Sequence, residues 1–318
     1  MIIQLFLIAA GLAVLTAGAT MLVRGAASLA LRVGLTPLVI GLTVVAFGTS
    51  APELLVSVQA ALRGAGGIAV GNVVGSNVAN LALILGVAAL VRPVPTSRSL
   101  LRRDVPLMIG ASVVLALMLA DKALGRAEGA LLLAALFAYI GYSVRAGRRE
   151  TAALALAEDL PPPSGHPLVD GVLLVGGLAA LIGGAHLFVE SAVALAQALG
   201  VSNAVIGLTV VAVGTSLPEL ATTLVAAVRG ESGIAAGNVV GSNLFNVLGI
   251  LSVAALARPL TAPGIGGADL LVMVAVAVAI LPLLASGGRL SRLEGGVLLA
   301  GYAAYMFHLA QNAGPPAL

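Results

Sequence analysis

The sequence predicts an all-α integral membrane protein of about ten transmembrane helices, built as two inverted five-helix repeats. Three observations carry that expectation: an apolar composition, apolar runs of membrane-crossing length, and an internal duplication. About 60% of the 318 residues are hydrophobic and only 9% are charged, where a soluble domain carries roughly 25% charged residues. Too little polar surface remains to wet a soluble globule of this length. The apolar residues fall in runs of roughly 20, separated by clusters of Arg, Pro, Gly and Asp, the pattern of helices that cross a bilayer. Closed β-barrels need short alternating segments and are excluded.

The spans read 3–30, 36–62, 68–91, 105–120, 124–144, 169–198, 204–228, 234–257, 267–286 and 293–313. The fourth is short for a hydrocarbon core about 30 Å thick. The first run lacks a basic segment before it and outlasts a signal peptide's apolar core, so it reads as a span with no cleavable signal. With the N-terminus outside, the inside loops hold Arg32, Arg92, Arg98, Arg102, Arg103, Arg145, Arg148, Arg149, Arg229, Arg289 and Arg292. The outside loops then hold Arg63, Lys122, Arg126 and Arg258. This asymmetry predicts both termini outside. The arginines are topology signals, so the basic balance calls for no nucleic acid. The absence of a transit or signal peptide suits a prokaryotic plasma membrane, and no obligate protein partner is evident.

The duplication has an offset of 166 residues. Gly41–Gly86 reads GLTVVAFGTSAPELLVSVQAALRGAGGIAVGNVVGSNVANLALILG, and Gly207–Ser252 reads GLTVVAVGTSLPELATTLVAAVRGESGIAAGNVVGSNLFNVLGILS; 29 of these 46 positions are identical. The halves are 1–145 and 169–318, joined by a polar, Pro-rich linker over 146–168 that the topology places in the cytoplasm. Five spans per half force the second half to enter from the opposite side. The repeats are then related by a pseudo-two-fold axis in the membrane plane and meet near its middle.

Away from the span ends, three acidic residues read as lying within spans: Glu53, Glu190 and Glu219. An ionised carboxylate at the bilayer centre costs at least about 2.5–3.5 kcal/mol. Glu53 and Glu219 occupy equivalent mid-span positions, in Gly48-Thr49-Ser50-Ala51-Pro52-Glu53 and Gly214-Thr215-Ser216-Leu217-Pro218-Glu219. Protonated glutamates hydrogen-bonded between helices are the bland alternative, but the neighbouring residues are also those a cation needs. Pro52 and Pro218 deny an amide donor to the carbonyls of Gly48 and Gly214. Unwound carbonyls around Ala46–Gly48 and Ala212–Gly214 are therefore expected to face an ion, with the hydroxyls of Thr49, Ser50, Thr215 and Ser216 beside them. A plain proline kink is the alternative for one copy and a weak one for two.

The second repeated element is Gly71-Asn72-Val73-Val74-Gly75-Ser76-Asn77-Val78-Ala79-Asn80, matched by Gly237–Asn246. Ser76 and Asn80 share a helix face, as do Ser242 and Asn246, and Gly71 and Gly75 form a small-residue ridge. Asn72 and Asn77 serve either as interhelical hydrogen-bonding groups or as ligands. Two carboxylates with neutral oxygens, no sulfur and no imidazole suit a hard cation, and Ca²⁺ takes six to eight oxygens. The carboxylate pair matches Ca²⁺ in charge and accepts a proton or monovalent ion in its place, which is a physical basis for antiport. The chain has no cysteine. His166, His186 and His308 form no ligand spacing; His186 lies in a span and reads as a hydrogen-bonded packing group or a proton handler.

The blocks GTSAPE…GNVVGSNVAN and GTSLPE…GNVVGSNLFN resemble the α-repeats of the sodium/calcium exchanger branch of the cation/calcium antiporters. The match covers roughly a third of the chain, and the five-plus-five layout extends it over nearly all of it. The resemblance implies four ion sites between the second, third, seventh and eighth spans. Its ligands would be Glu53, Glu219, Thr49, Ser50, Thr215, Ser216, Ser76, Ser242, Asn80 and Asn246, with backbone oxygens of Ala46 and Ala212. It also implies that the first and sixth spans slide across the other eight. Some potassium-dependent members carry Asp where this chain has Asn246, so the chain is more similar to potassium-independent exchangers. Sodium/calcium antiport without a cofactor is the function implied, with proton/calcium antiport on the same scaffold as the alternative. Glu190 aligns with Arg24 and reads as a mouth or snorkelling carboxylate, unpaired with that arginine. A channel would need no counter-ion. An enzyme is not expected, since no HExxH, GxSxG or P-loop motif is present.

Overall fold

In lipid a chain satisfies its backbone polar groups within helices, and the long apolar runs among the described residues do so. The computed structural model describes residues 1–156, 166–199 and 214–312. The helices are α1 (Ile2–Arg32), α2 (Pro37–Thr49), α3 (Ala51–Leu62), α4 (Gly66–Val91), α5 (Leu100–Asp121), α6 (Arg126–Leu156), α7 (Pro167–Ala198), α8 (Leu217–Arg229), α9 (Ser232–Ala257), α10 (Gly267–Ala285) and α11 (Arg292–Asn312). Seven of them are long and apolar enough to cross a membrane among the described residues, and the bent pair α2–α3 makes an eighth. The protein is a multi-pass membrane protein.

Three boundaries differ from the sequence reading. The fourth span is not short: a π-helical turn at Leu100–Asp104 extends α5 to 22 residues. That turn carries Arg102 and Arg103, whose charges hid it from a hydropathy reading. Helix α6 continues to Leu156, so the first part of the 146–168 linker is helical. Helix α7 begins at Pro167, two residues before the span read as 169–198. Residues 157–165 of the linker, and 204–213 of the span read as 204–228, lie outside the described residues.

Local signals start the helices where they begin. Thr36 accepts a hydrogen bond from Val39 N, with Pro37 in the first turn of α2. Glu128 accepts from Gly125 N and Glu294 from Ser291 N, each at 2.7 Å. These glutamates are 166 residues apart, so the duplication extends to the caps of α6 and α11.

Helices α4 and α9 form the centre: 78% and 89% of their apolar windows are buried, against 22–33% for the other long helices. The two GNVVGSN segments are therefore innermost. Close approach is bought with glycine. A Cβ on Gly241 would lie 2.6 Å from Leu42 O, and one on Gly237 2.7 Å from Leu38 O, so α9 lies backbone-to-backbone on α2. Around this centre, α1 and α7 run antiparallel along one another, meeting at Gly11 with Gly184 and Gly18 with Gly177. These glycines are equivalents under the 166-residue offset.

Two short antiparallel pairings tie the halves together. Val94–Pro95 (β1) pairs with Arg289–Leu290 (β4), and Ala123–Leu124 (β2) with Leu260–Thr261 (β3). The offset converts one pairing into the other. Arg92 donates to Val228 O at 2.6 Å and Arg258 donates to Leu62 O at 3.0 Å, again as equivalents. Each arginine thus closes the C-terminus of a half-helix from the opposite repeat.

Acidic residues within spans are not limited to the three expected. Asp104 and Asp170 are also buried in helices. Asp170 accepts from Ser28 at 2.9 Å and from Arg32 at 2.5 Å, linking α7 to α1. Asp104 accepts two 2.9 Å bonds from Arg103. Both lie near span ends, and each is paired with an arginine, which spares it the penalty of an unpaired buried charge.

Candidate cation site

The break between α2 and α3 positions the first glutamate. Ala46–Thr49 stays α-helical and only Ser50 leaves helical geometry, at φ −83° and ψ 8°, with a bend of 49°. The expected unwinding around Ala46–Gly48 is thus corrected to a one-residue break. The reason is that α3 restarts with Pro52 in its first turn, where a missing amide hydrogen breaks no helical bond. The Ala46 carbonyl accepts the helical bond from Ser50 N at 3.0 Å, with Thr49 Oγ1 3.3 Å away. Ser216 opens α8 in the same way, at φ −90° and ψ 7°. Ala212 lies outside the described residues.

Glu53 and Glu219 both fall in the first turn of their half-helices, and each is 1% exposed. They are held crosswise. Ser50 Oγ of the first half donates to Glu219 Oε1 at 2.8 Å, and Ser216 Oγ of the second half donates to Glu53 Oε1 at 3.3 Å. Neither glutamate takes part in an ion pair among the described residues. Glu53 Oε2 and Glu219 Oε2 have no hydrogen-bond partner there.

The asparagines divide into two groups. Asn72 donates to Glu53 O and Ser57 Oγ, and Asn238 donates to Glu219 O and Thr223 Oγ1, at matching distances of 3.3 Å and about 3 Å. These are braces: their donors fix the backbone of the glutamates, and Asn238 Oδ1 also accepts from Thr49 Oγ1 at 3.1 Å. Asn77 and Asn243 form the next layer. Asn246 donates to Asn77 Oδ1 and Asn80 donates to Asn243 Oδ1, each at 3.0 Å. The interhelical alternative therefore holds for Asn72 and Asn77. Asn80 and Asn246 spend their amide donors on these bonds and are left with Oδ1 partnerless.

Asn80 and Asn246 each begin or adjoin a π-helical turn, Ala79–Ile84 and Asn246–Ile250. A π turn widens the helix and rotates the residues that follow, a feature concentrated at functional sites. Ser76 and Ser242 lie one turn earlier on the same face and are buried. Ser242 Oγ is partnerless, as is Thr222 Oγ1 on α8. Thr222 escaped the sequence reading because its equivalent is Val56; its position three residues after Glu219 was the available signal.

Thr215 is half-buried and lines a cavity of about 410 Å³ between α3 and α7, together with Pro52 and His186. A cavity of about 580 Å³ lies between α1 and α8, lined by Thr16, Leu217 and Leu220. The 166-residue offset relates these two cavities. His186 Nε2 lies 3.1 Å from Glu190 Oε1, and both side chains are mostly exposed. His186 is therefore neither buried packing nor part of the glutamate cluster. Arg24 is exposed on α1.

The same buried oxygens invite comparison with known transporters. A family model described as sodium/calcium exchanger protein matches residues 3–145 and 170–311, nearly the whole chain. The chain belongs to the sodium/calcium exchanger family. Among relatives, this exchanger is similar to CaxA of Alkalimonas amylolytica, 38% identical over 275 residues, which are 82% of this chain and 84% of the relative. It is also similar to the sodium/calcium exchanger MaX1 of Methanosarcina acetivorans, 34% identical over 299 residues, 81% of this chain and 85% of the relative. Its fold matches the sodium–calcium exchanger NCX_Mj, soaked with Na⁺ and Ca²⁺, with a TM-score of 0.84 at 32% identity, over 97% of this chain and 99% of that one. Family membership makes the exchanger a cation/Ca²⁺ antiporter by class.

Proposed function

We propose that the protein is a secondary-active Na⁺/Ca²⁺ antiporter working by alternating access around the crossed glutamates. One observation carries this reading: the partnerless buried atoms at the site are all oxygens. Glu53 Oε2, Glu219 Oε2, Asn80 Oδ1, Asn246 Oδ1, Ser242 Oγ and Thr222 Oγ1 lack partners among the described residues. Buried polar atoms are normally satisfied, and a hard cation satisfies six oxygens at once. Thr49, Ser50, Thr215, Ser216, Ser76 and the backbone oxygens of Ala46 and Ala212 complete the proposed ligand set. The two carboxylates neutralise Ca²⁺, and Na⁺ ions take the same oxygens on the return half-cycle.

The proposed architecture is ten spans in two inverted halves, 1–145 and 169–318, with both termini outside the plasma membrane. Contacts between loops support it. Alternation puts the loops bearing Arg92 and Gly230 on one side and those bearing Gly64 and Arg258 on the other, and each pair is in contact. The two offset-related cavities support opposite access routes, opened and closed as α1 and α7 shift across the rest.

The test is ⁴⁵Ca²⁺ uptake into proteoliposomes loaded with Na⁺, against vesicles loaded with choline and given an imposed pH gradient. Uptake that requires internal Na⁺ is the expected result. Uptake driven by the pH gradient alone would replace the coupling ion with the proton, and uptake without any counter-ion would refute antiport.

A further inference from the structure

Two relays of amides lie behind the crossed glutamates. In one, Asn246 Nδ2 donates to Asn77 Oδ1 at 3.0 Å; in the other, Asn80 Nδ2 donates to Asn243 Oδ1 at 3.0 Å. All four side chains are buried. A side-chain amide has nearly the same shape at its two ends and opposite chemistry, a donor at one and an acceptor at the other. Turning over one member of a relay turns its neighbour as well. Asn80 and Asn246 would then present NH₂ where each now leaves a partnerless Oδ1. A cation accepts the first orientation and is repelled by the second. Either orientation satisfies the bond within a relay, so the choice is made by what touches its far end.

The far ends differ. Asn243 Nδ2 donates to the backbone oxygen of Asn77 at 3.3 Å, with Met108 Sδ 3.7 Å away. A backbone carbonyl can only accept, so that amide is fixed without the sulfur. Asn77 Nδ2 has one partner among the described residues, Met273 Sδ at 3.9 Å. A thioether has lone pairs and no hydrogen, so it accepts from Nδ2 and offers nothing to Oδ1. Met273 stands on α10, in the opposite half from Asn77, and is 1% exposed. Leucine would fill its place with nearly the same volume; the sulfur adds a polarity. We propose that Met273 is a positioning residue for the transported cation: its sulfur orients Asn77, and Asn77 orients Asn246 so that Oδ1 faces the ion. This rests on the reading of Asn246 as a ligand. A buried N–H without a partner is harder to tolerate than an under-satisfied carbonyl. Without the sulfur, the ion-free relay therefore favours the reversed orientation, and calcium binds only the fraction of molecules that carry the productive one.

Calcium affinity of the purified protein, measured by titration calorimetry, tests this in a double-mutant cycle. Met273→Leu should weaken calcium binding about three- to tenfold, the effect of one hydrogen bond, at an unchanged ion-free melting temperature. Met108→Leu is the control: it removes an equally buried sulfur beside an amide that a carbonyl already fixes, and should change affinity less than about twofold. Asn246→Ala removes the ligand itself, so adding Met273→Leu to it should weaken binding no further. Equal losses from Met273→Leu and Met108→Leu would overturn the proposal, because the sulfur would then act through packing. A Met273→Leu loss that persists in full on top of Asn246→Ala would overturn it for the same reason. Loss of affinity in Asn246→Ala with none in Met273→Leu would remove the sulfur's role and leave the ligand in place. Unchanged affinity in Asn246→Ala would instead remove Asn246 from the ligand set, and this inference with it.

Discussion

Glu53→Gln keeps the shape of the site and removes half of its charge. The amide oxygen still accepts from Ser216, while an NH₂ group replaces the partnerless Oε2 and turns a donor toward the cation. Removing one partner from a buried charge contact costs about 3–5 kcal/mol. At about 1.4 kcal/mol per decade this is two to three and a half orders of magnitude in calcium affinity. Glu219→Gln should do the same, because Ser50 holds it in the mirrored arrangement. Transport alone would not separate lost binding from lost folding, so the assay is calcium-dependent thermal stabilisation of the purified protein. At calcium one hundred times the parent Kd, binding stabilises by about 2.7 kcal/mol. With Kd raised a hundredfold the remaining stabilisation is RT ln 2, about 0.4 kcal/mol. The ion-free variants should melt no lower than the parent, since a buried uncompensated carboxylate has been removed. A Kd within tenfold of the parent for either variant would refute the assignment of that glutamate as a ligand.

Asn238→Ala removes two donors and the acceptor used by Thr49. It should lower stability by about 1–3 kcal/mol and calcium affinity by less than Glu219→Gln, measured by the same melts. Gly18→Leu places a side chain where even a Cβ would lie 2.7 Å from Leu181 N. It should separate α1 from α7, cost about 1–3 kcal/mol and suppress counter-ion-driven ⁴⁵Ca²⁺ uptake. Asp170→Asn should be better tolerated than Arg32→Met, because the latter leaves a buried carboxylate bonded to Ser28 alone among its observed partners; the two melting temperatures decide it. Asn246→Asp takes away the donor to Asn77 Oδ1 and adds a third carboxylate. It should destabilise the ion-free protein and raise affinity for a monovalent cation, read as a new dependence of calcium transport on K⁺.

Much of the site was legible because it is written twice. Proline three residues after threonine, with a glutamate next to it, predicts a broken helix and a buried charge in one copy; two copies make convergence of Glu53 and Glu219 hard to avoid. The serine–asparagine face of the second element was legible from four-residue spacing. What escaped was local geometry. The break is confined to Ser50 because the proline sits in a first turn, and no composition rule distinguishes that from a longer unwinding. The π turns at Ala79 and Asn246 leave no mark in hydropathy. Asp104 escaped because the π turn that carries it lies just outside the span read as 105–120, and Asp170 because it sits at the very start of the span read as 169–198, where a carboxylate reads as a helix-end group. Thr222 was missed because duplication was the guide, and it has no duplicate.

The crossed strand pairings also divide the molecule into parts that are clasped across the two halves and parts that are not. β1 joins β4 and β2 joins β3, so each end of the molecule is clasped by one segment from either half, as hoops hold staves. The hoops gather the helices that flank them: α4, α5, α6, α9, α10 and α11. Neither hoop includes α1 or α7, which are bound to each other by glycine contacts and by Asp170. In the proposed cycle this pair is the piston. The half-helices α3 and α8, which carry the glutamates, also lie outside the hoops, but Arg258 and Arg92 tie their C-terminal ends to the loops beside the strands, so in that cycle the glutamates stay with the cylinder.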